Sequence, residues 1–264
     1  MAQSTVSLES QEYLAREEAL LGCILDMGEM LLTSGAEVKR VEDTITRLCR
    51  VYSFAREDVF TITSSIVLTV RTPGGRVLTQ TRRILARDTD LGRVEKVNAL
   101  SRQICASPAP LGAFKREVER LRREKAYPVW IQRIMYIIIS AAFCLFFGGT
   151  LPDALAAAIA GLVLFQTLQL SKPLGLSGTL QCMMASFITG LAVVGLYWLG
   201  IGTHPDRISM GNIMLLIPGI AFTAALRDII NGDTLAGIIC LCEAILRALA
   251  VAIGFAAMLT LTGG

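Results

Sequence analysis

The sequence predicts an α+β cytosolic head followed by an all-α polytopic membrane domain of five transmembrane helices. Lys and Arg supply 20 charges and Asp and Glu 17 before residue 130, but only five of each sign follow. The charge-poor half contains several long apolar runs, which raise the apolar content of the chain to 53%. Residues 58–84, in the charged half, have strand character. A soluble head joined to a membrane domain accounts for all three observations.

Two helices are predicted at the start of the head. Apolar residues recur at spacings of three, four and seven between Leu14 and Leu32, which is the pattern of an amphipathic helix. Ser34 and Gly35 predict the end of that helix. A second helix is predicted from Glu37 to Tyr52. The apolar residues on one face of the second helix are Val41, Ile45 and Leu48.

A small antiparallel sheet and a third helix complete the head. The segment from Asp58 to Ile84 is rich in Val, Ile and Thr, and Thr72 to Gly75 give a hairpin turn signal between two alternating segments. Residues 90–106 return to a helical pattern, which Pro108 and Pro110 end. Residues 1–110 are therefore predicted to form one cytosolic α+β domain.

Residues 111–129 predict a juxtamembrane amphipathic helix. Leu111, Phe114, Val118 and Leu121 fall on one face, and basic residues crowd the others. Because the first apolar run follows directly, we expect these basic side chains to contact anionic lipid headgroups. A solvated linker helix is the alternative.

Residues 130–264 are predicted to form the membrane domain. A hydrocarbon core about 30 Å thick needs roughly 20 apolar helical residues, and five segments are long enough. They cover about 131–149, 152–170, 177–200, 210–230 and 235–260. The positive-inside rule places the head in the cytoplasm, and five crossings then place the C-terminus outside. The basic residues before the first span are Lys115, Arg116, Arg120, Arg122, Arg123 and Lys125.

The predicted fourth span contains a helix breaker. Pro218 cannot donate a backbone hydrogen bond, and its ring displaces the carbonyl group of Met214, so the helix should kink or break there, with Gly219 adding room. Transporters present backbone groups to substrates at broken helices. A kink that serves only packing is the alternative.

Two ionisable residues are predicted near the middle of the fifth span. Glu243 and Arg247 lie roughly 13 Å and roughly 19 Å from Thr234 along a helix. Their spacing of four places them on one face, in the order that favours a salt bridge. Because a charge at that depth costs several kcal/mol, both should face protein or water and form a substrate or proton site. A self-neutralised structural pair is the alternative.

A second polar cluster is predicted at the cytoplasmic ends of the fourth and fifth spans. Arg227, Asp228 and Asp233 lie close together in the sequence, and Thr223 lies one helical turn before Arg227. With Gly232, Pro218, Gly219 and the pair in the fifth span, they form the predicted substrate or ion pathway. A solvated loop is the alternative.

Other chemistry has little support in the sequence. No zinc-binding or phosphate-loop spacing occurs and the net charge is only +3, so metals, cofactors and nucleic acid are not expected. His204 is expected to serve a predicted outer loop and not a metal. No His lies near a head serine to activate it, so no catalytic residue is assigned. The seven cysteines are predicted to be buried thiols. Gly161, Gly190 and Gly195 are predicted to allow close helix packing.

Two motifs resemble those of a known family. The head motif is LLTSGAEVKRVEDTI at 31–45. The membrane motif comprises Pro218-Gly219, Arg227-Asp228, Gly232-Asp233, Gly237 and Glu243-Ala244. Together, over roughly residues 17–260, they resemble the threonine/serine exporter family of prokaryotes. Family members often have an arginine near the position of Cys240, and their acidic residues at Asp233 and Glu243 vary. The assignment of Arg247 rests on the physical argument alone.

The resemblance implies a subunit of a secondary exporter in the plasma membrane. Fused members continue into a second set of spans, so this chain is similar to the larger subunit of the split type. That implies a small multi-span membrane partner, and we expect the assembly to be oligomeric. The implied substrate is an amino acid of the threonine and serine type or a dicarboxylate such as succinate. No ATP-binding motif is present, so an ion gradient is the expected driving force, and protons are the expected coupling ion.

Two other functions stay open at this point. The head could be a membrane-tethered, hydrolase-like enzyme for which the spans are an anchor. It could also be the metabolite-sensing part of a regulatory subunit in a membrane complex. An anchor rarely needs paired charges near the membrane midplane, which favours transport.

Overall fold

The structure is a computed structural model that describes residues 2–124 and 127–262, with side chains described from residue 14 onward. The chain divides into two compact units. The head unit contains the chain up to residue 126 together with residues 220–241, and the membrane unit contains residues 127–219 and the chain from residue 242. Lys125, one of the basic residues expected to contact lipid, lies outside the described residues.

The first two helices of the head unit are α1 (Ala2–Thr33) and α2 (Val38–Val51). Helix α1 ends where predicted, because Gly35 adopts a φ of 85° that side chains disfavour. The buried face of α2 repeats at spacings of three and four, as the sequence indicated. Its buried residues are Val38, Val41, Thr44, Ile45, Leu48 and Cys49.

A three-stranded antiparallel sheet follows, in the order β1-β2-β3. The strands are β1 (Arg56–Ile62), β2 (Ser65–Arg71) and β3 (Val77–Arg83). Central strand β2 buries every second residue, because successive side chains of a strand point to opposite faces. Those residues are Ile66, Leu68 and Val70. The turn at 72–75 lies where predicted, but a second tight turn at residues 63–64 divides the first alternating segment into two strands.

Helix α3 (Leu91–Ala106) matches the predicted third helix. The Asp90 side chain accepts a hydrogen bond from the backbone N–H of Arg93 at 2.9 Å, which satisfies a donor that the first turn leaves free. Val97 and Ile104 are buried in the same core as α1, α2 and β2. The sheet therefore packs against helices on one side of the head unit.

Helix α4 (Leu111–Arg123) packs its apolar face into the head core. Phe114, Val118 and Leu121 are buried, and the ring of Phe114 stacks on Tyr52 with centroids 5.7 Å apart. That face is therefore not available to lipid. The predicted contact between the basic residues of α4 and anionic lipid stays a prediction.

The remaining helices carry the apolar runs. They are α5 (Val129–Phe146), α6 (Leu151–Ser171), α7 (Gly178–Trp198), α8 (Pro205–Ile213), α9 (Gly219–Ile230) and α10 (Thr234–Thr262). Helix α9 belongs to the head unit except for its first residue, and α10 passes from the head unit into the membrane unit. Within the described residues, four helical segments have the length and composition to cross a membrane. They are Val129–Phe146, Leu151–Leu174, Gly178–Trp198 and Thr234–Thr262.

The prediction of five transmembrane helices is therefore wrong by one. The predicted span at 210–230 is divided into α8 and α9, which have nine and 12 residues, each too short to cross the hydrocarbon core. A helix breaker, Pro218, lies between them. The prediction that the C-terminus lies outside the cytoplasm assumed five crossings. Four crossings would instead return the chain to the side of the membrane on which it started.

Small residues let helices of the membrane unit approach each other. A Cβ atom on Gly161 would collide with the Ser140 side chain, and one on Gly190 would lie 2.8 Å from the terminal methyl group of Met258. These contacts confirm the predicted packing role of both glycines. No described atom lies within 4 Å of a Cβ added to Gly195, so the same role for that residue stays a prediction.

Candidate functional site

The helix break at Pro218 is present. Residues 214–218 separate α8 from α9, and the amide of Gly219 donates to the carbonyl of Ile217 at 2.8 Å in a tight turn. Because residue 218 is proline, the Met214 carbonyl lacks the donor that would continue the helix. A groove of about 400 Å³ lies beside the break, lined by Met214, Leu215 and mainly apolar residues of α5.

Asp228 caps a helix of the head from a distant part of the sequence. Its side chain is 1% exposed, and Oδ1 accepts a hydrogen bond from the backbone N–H of Val38 at 3.2 Å. Val38 begins α2, and Glu37, at the N-cap position, gives no side-chain cap of its own. A carboxylate is favourable at a helix N-terminus because it satisfies a free N–H group and faces the positive end of the helix dipole.

An ion pair lies beside this cap. Nη1 of Arg227 lies 2.5 Å from Oε1 of Glu37, with side-chain exposures of 60% and 18%. Two neighbouring residues of α9 thus bind two neighbouring residues at the start of α2. Because the Arg227 side chain is well exposed, the pair adds little stability by itself and mainly fixes the relative position of α9 and α2. Both contacts lie inside the head unit.

Arg87 completes the cluster, and the sequence analysis missed it. Its Nε donates to the Leu32 carbonyl at 3.2 Å, and its Nη1 donates to Sγ of Cys240 at 2.8 Å. The guanidinium therefore joins the C-terminal turn of α1 to the first turns of α10. Arg87 lies in a charged loop after β3 that has no periodic pattern, so no signal in the sequence distinguishes it from its charged neighbours.

Burial and neighbouring carboxylates alter the proton affinity of this cluster. Asp228 lies outside the four candidate spans, and its pKa is raised to about 6, first by burial and then by the carboxylates of Asp233 and Glu37. The Val38 N–H and the Arg87 guanidinium act in the opposite direction. Burial likewise raises the pKa of Glu42, which also faces Asp233. Asp228 is therefore expected to exchange its proton near pH 6.

The turn between α9 and α10 holds the cluster together. Gly232 has a φ of 99°, which a side chain would disfavour, and the amide of Asp233 donates to the Asp228 carbonyl at 2.9 Å. A Cβ on Gly237 would lie 2.8 Å from the Ala225 carbonyl, so the two helices cross closely there. Thr223 is exposed and donates to the carbonyl of Ile220 in its own helix.

Glu243 and Arg247 lie in the membrane unit and do not form the expected salt bridge. Within the described part of the chain neither has an ion-pair partner. Nη2 of Arg247 lies 3.6 Å from the position that a Cβ on Gly178 would take, at the start of α7. Glu243 is exposed on the surface of α10. The alternative of a self-neutralised pair is therefore wrong, and the substrate or proton site stays a prediction.

A buried polar centre in the membrane unit also escaped the sequence analysis. Asp153 is fully buried near the start of α6 and accepts hydrogen bonds from the backbone N–H groups of Thr150, Thr203 and His204 at 2.8, 2.6 and 3.0 Å. Nδ1 of His204 lies 2.8 Å from Oδ2 of Asp153. His204 thus fixes the loop before α8, as expected. The described residues contain no cluster of His, Cys, Asp or Glu suited to a metal.

Comparisons with known proteins identify related transport proteins. A family model described as “Putative threonine/serine exporter” matches residues 23–262. A protein named “Probable threonine/serine exporter” from Mycobacterium tuberculosis is 22% identical over 237 residues, covering 89% of this chain and 45% of that protein. Two proteins named “Probable succinate transporter subunit YjjP” are each 26% identical to this chain. The match to the Klebsiella aerogenes protein covers 88% of this chain and 90% of that protein. The match to the Escherichia coli protein covers 94% of this chain and 96% of that protein. The chain thus spans about half of the first relative. No solved structure matches it.

The family match extends over most of the head and over the helices that follow. It includes both sequence segments that the structure joins, the start of α2 and the end of α9. It also includes the helix break at Pro218 and all four candidate membrane spans. The chain therefore belongs to the threonine/serine exporter family.

Proposed function

We propose that this chain is the head-bearing subunit of a two-subunit secondary exporter that moves a small hydrophilic metabolite out of the cell, driven by protons. Family membership supports export, and the names of two relatives as transporter subunits support a membrane partner. Both of those relatives match along nearly their whole length, whereas the threonine/serine exporter matches along less than half of its own. A dicarboxylate such as succinate is therefore the first substrate to test, and threonine or serine the second.

The observation that carries the proposal is the contact between Asp228 and the start of α2. An ionised carboxylate is more stable in water than in a buried position, so loss of the proton favours opening of this contact. Uptake of the proton favours a closed contact. Proton binding is thereby linked to the position of α9, which directly follows the helix break. A proton gradient could drive alternate exposure of a substrate site through this link.

The head is proposed to lie in the cytoplasm of a prokaryotic cell. The exposed face of α4, just before the first span, carries several basic residues, and short basic segments beside a span stay on the cytoplasmic side. They are Lys115, Arg116, Arg120, Arg122 and Arg123. Anionic lipids of the inner leaflet would attract the same face.

The membrane partner is proposed to cover Glu243. This residue is exposed on α10, within the most apolar of the candidate spans. Contact with hydrocarbon would cost an ionisable side chain several kcal/mol, so protein or a water-filled route should face it. Helix α10 would then supply part of the pathway between the two subunits.

The test is reconstitution of the chain with its small membrane partner into proteoliposomes. Radiolabelled succinate, threonine and serine are each followed with and without an imposed pH gradient. We expect flux of at least one of them to rise with the gradient. In Asp228→Asn the gradient should lose its effect, while Glu95→Gln, which changes an exposed carboxylate of α3, should behave as the unmodified protein does. Absence of flux for every substrate would refute the proposal, and flux with an unchanged gradient response in Asp228→Asn would refute the role of Asp228.

A further inference from the structure

A cleft on the head unit lies between helices α2 and α3, apart from the Asp228 cap. Its volume is about 340 Å³, at the lower end of the range for small-molecule sites. Its basic side chains are Lys39, Arg40, Arg47 and Arg102. Only two carboxylates, Glu37 and Asp43, also line it. The cleft therefore carries an excess of positive charge.

The four cations of the cleft form no ion pair with the part of the chain that the structure describes. Among the residues that the structure describes, none of them has a carboxylate within ion-pair distance. Other arginines of the same two helices differ, since Arg50 pairs with Glu57 at 2.7 Å and Arg93 with Asp90 at 3.8 Å. The uncompensated charge is thus specific to the cleft and not a general property of these helices.

The helix dipole makes this charge more unusual. Lys39 and Arg40 lie in the first turn of α2, which contains no acidic residue. Cations are unfavourable at a helix N-terminus, because the free N–H groups already create a positive potential there. An anion bound in the cleft would be attracted both by the side chains and by this end of the helix.

The wall formed by α3 supplies neutral hydrogen-bonding groups. Ser101 is 6% exposed and Asn98 is half-buried, and both line the cleft. A hydroxyl and an amide can each donate to a carboxylate or phosphate oxygen. Arg47 and Arg102 come from opposite walls and offer planar guanidinium groups suited to two-point contacts with such oxygens.

We propose that this cleft is a binding site for a small dianionic metabolite, with the carboxylate or phosphate oxygens held by Arg47 and Arg102. Glu37 belongs both to the cleft wall and to the ion pair with Arg227. A bound dianion therefore changes the electrostatic potential at a carboxylate that contacts α9. The site would let the cytoplasmic concentration of the ligand act on the α2 and α9 contact. Binding itself does not depend on the proposed transport function.

The test measures binding calorimetrically on the full chain in lipid nanodiscs. Succinate and inorganic phosphate are the dianionic probes, and threonine, which has no net charge, is the comparison. We expect at least one dianion to bind about tenfold or more tightly than threonine. Arg47→Gln/Arg102→Gln should weaken that binding about tenfold or more, since each lost hydrogen bond to a charged group contributes roughly 1.5–3 kcal/mol.

The matched control is Arg76→Gln, which removes an exposed arginine in the hairpin turn outside the cleft. It should bind the dianion as the unmodified protein does. Binding of phosphate alone or succinate alone identifies the ligand chemistry, and either supports the site. The inference is overturned if neither dianion binds at millimolar concentration. It is also overturned if the double variant and the control bind equally, which would locate the anion elsewhere, for example on the transport pathway.

Discussion

Replacing Asp228 by asparagine tests the buried carboxyl group directly. Asparagine has nearly the same size and keeps an oxygen that can accept the hydrogen bond from Val38 N–H, now 3.2 Å long. It cannot ionise. The substitution therefore removes the proton-binding group while leaving the packing around it nearly unchanged.

The sign of the expected effect follows from the raised pKa. Burial moves the pKa of Asp228 from 3.8 to about 6, so the folded protein favours the protonated form. This contribution to stability is complete below pH 3.8 and is lost as the pH rises through 6. A shift of about two pKa units corresponds to about 3 kcal/mol. The amide of the variant has no such dependence. The stability of Asp228→Asn relative to the unmodified protein should therefore increase by up to about 3 kcal/mol between acid and pH 8.

The assay is thermal unfolding of the purified protein in detergent at several pH values from 4 to 8. For a chain of this size about 3 kcal/mol corresponds to roughly 6–12 °C in Tm. Glu95→Gln, on the exposed side of α3, should show a constant difference from the unmodified protein across the series. A Tm difference for Asp228→Asn that stays constant with pH, or that falls as the pH rises, would refute the assignment of a buried, proton-binding carboxyl group.

Three further predictions address other parts of the structure. Gly237→Ala should destabilise the protein by about 1–3 kcal/mol, because the new methyl group would meet the Ala225 carbonyl. Gly195→Ala, which adds a methyl group in open space, should be tolerated. Equal losses of Tm in the two variants would contradict the close crossing of α9 and α10. Asp153→Ala should lower the free energy of unfolding by about 3–5 kcal/mol, because three backbone N–H groups lose the carboxylate that accepts their hydrogen bonds. A Tm within error of the unmodified protein would refute that role. Glu243→Gln should impair flux or its pH profile in proteoliposomes more than it impairs expression, and unchanged flux with an unchanged profile would leave Glu243 a structural role only.

Local patterns in the sequence predicted most of the secondary structure. Helix and strand periodicity depend on residues a few positions apart, so α2, α3 and the turn at 72–75 were located from spacing alone. Four spans were found from the length of their apolar runs. The break at Pro218 was also predictable, because it follows from the covalent structure of proline. The number of spans was not, since hydropathy cannot distinguish one continuous helix from two short ones.

Most of the candidate site could not be predicted by the same means. Residues 227 and 228 were singled out by the sequence, but their partners at 37 and 38 are separated from them by 190 positions. Arg87 and Asp153 were missed because a charged residue in a loop or at a helix start has no periodic signature. The spacing of Glu243 and Arg247 predicted a salt bridge, yet Arg247 lies near Gly178 of another helix.

The sequence by itself determined that a charged α+β head precedes a membrane domain. It also determined that the predicted fourth span must break at Pro218, between α8 and α9. Only the tertiary structure decided that the end of α9 caps the start of α2, and that the resulting carboxyl group is buried. The physical reason is that periodicity and hydropathy record how each segment meets water or lipid. The partner of a buried polar group is fixed only when distant segments pack together, because its energy depends on what surrounds it after folding.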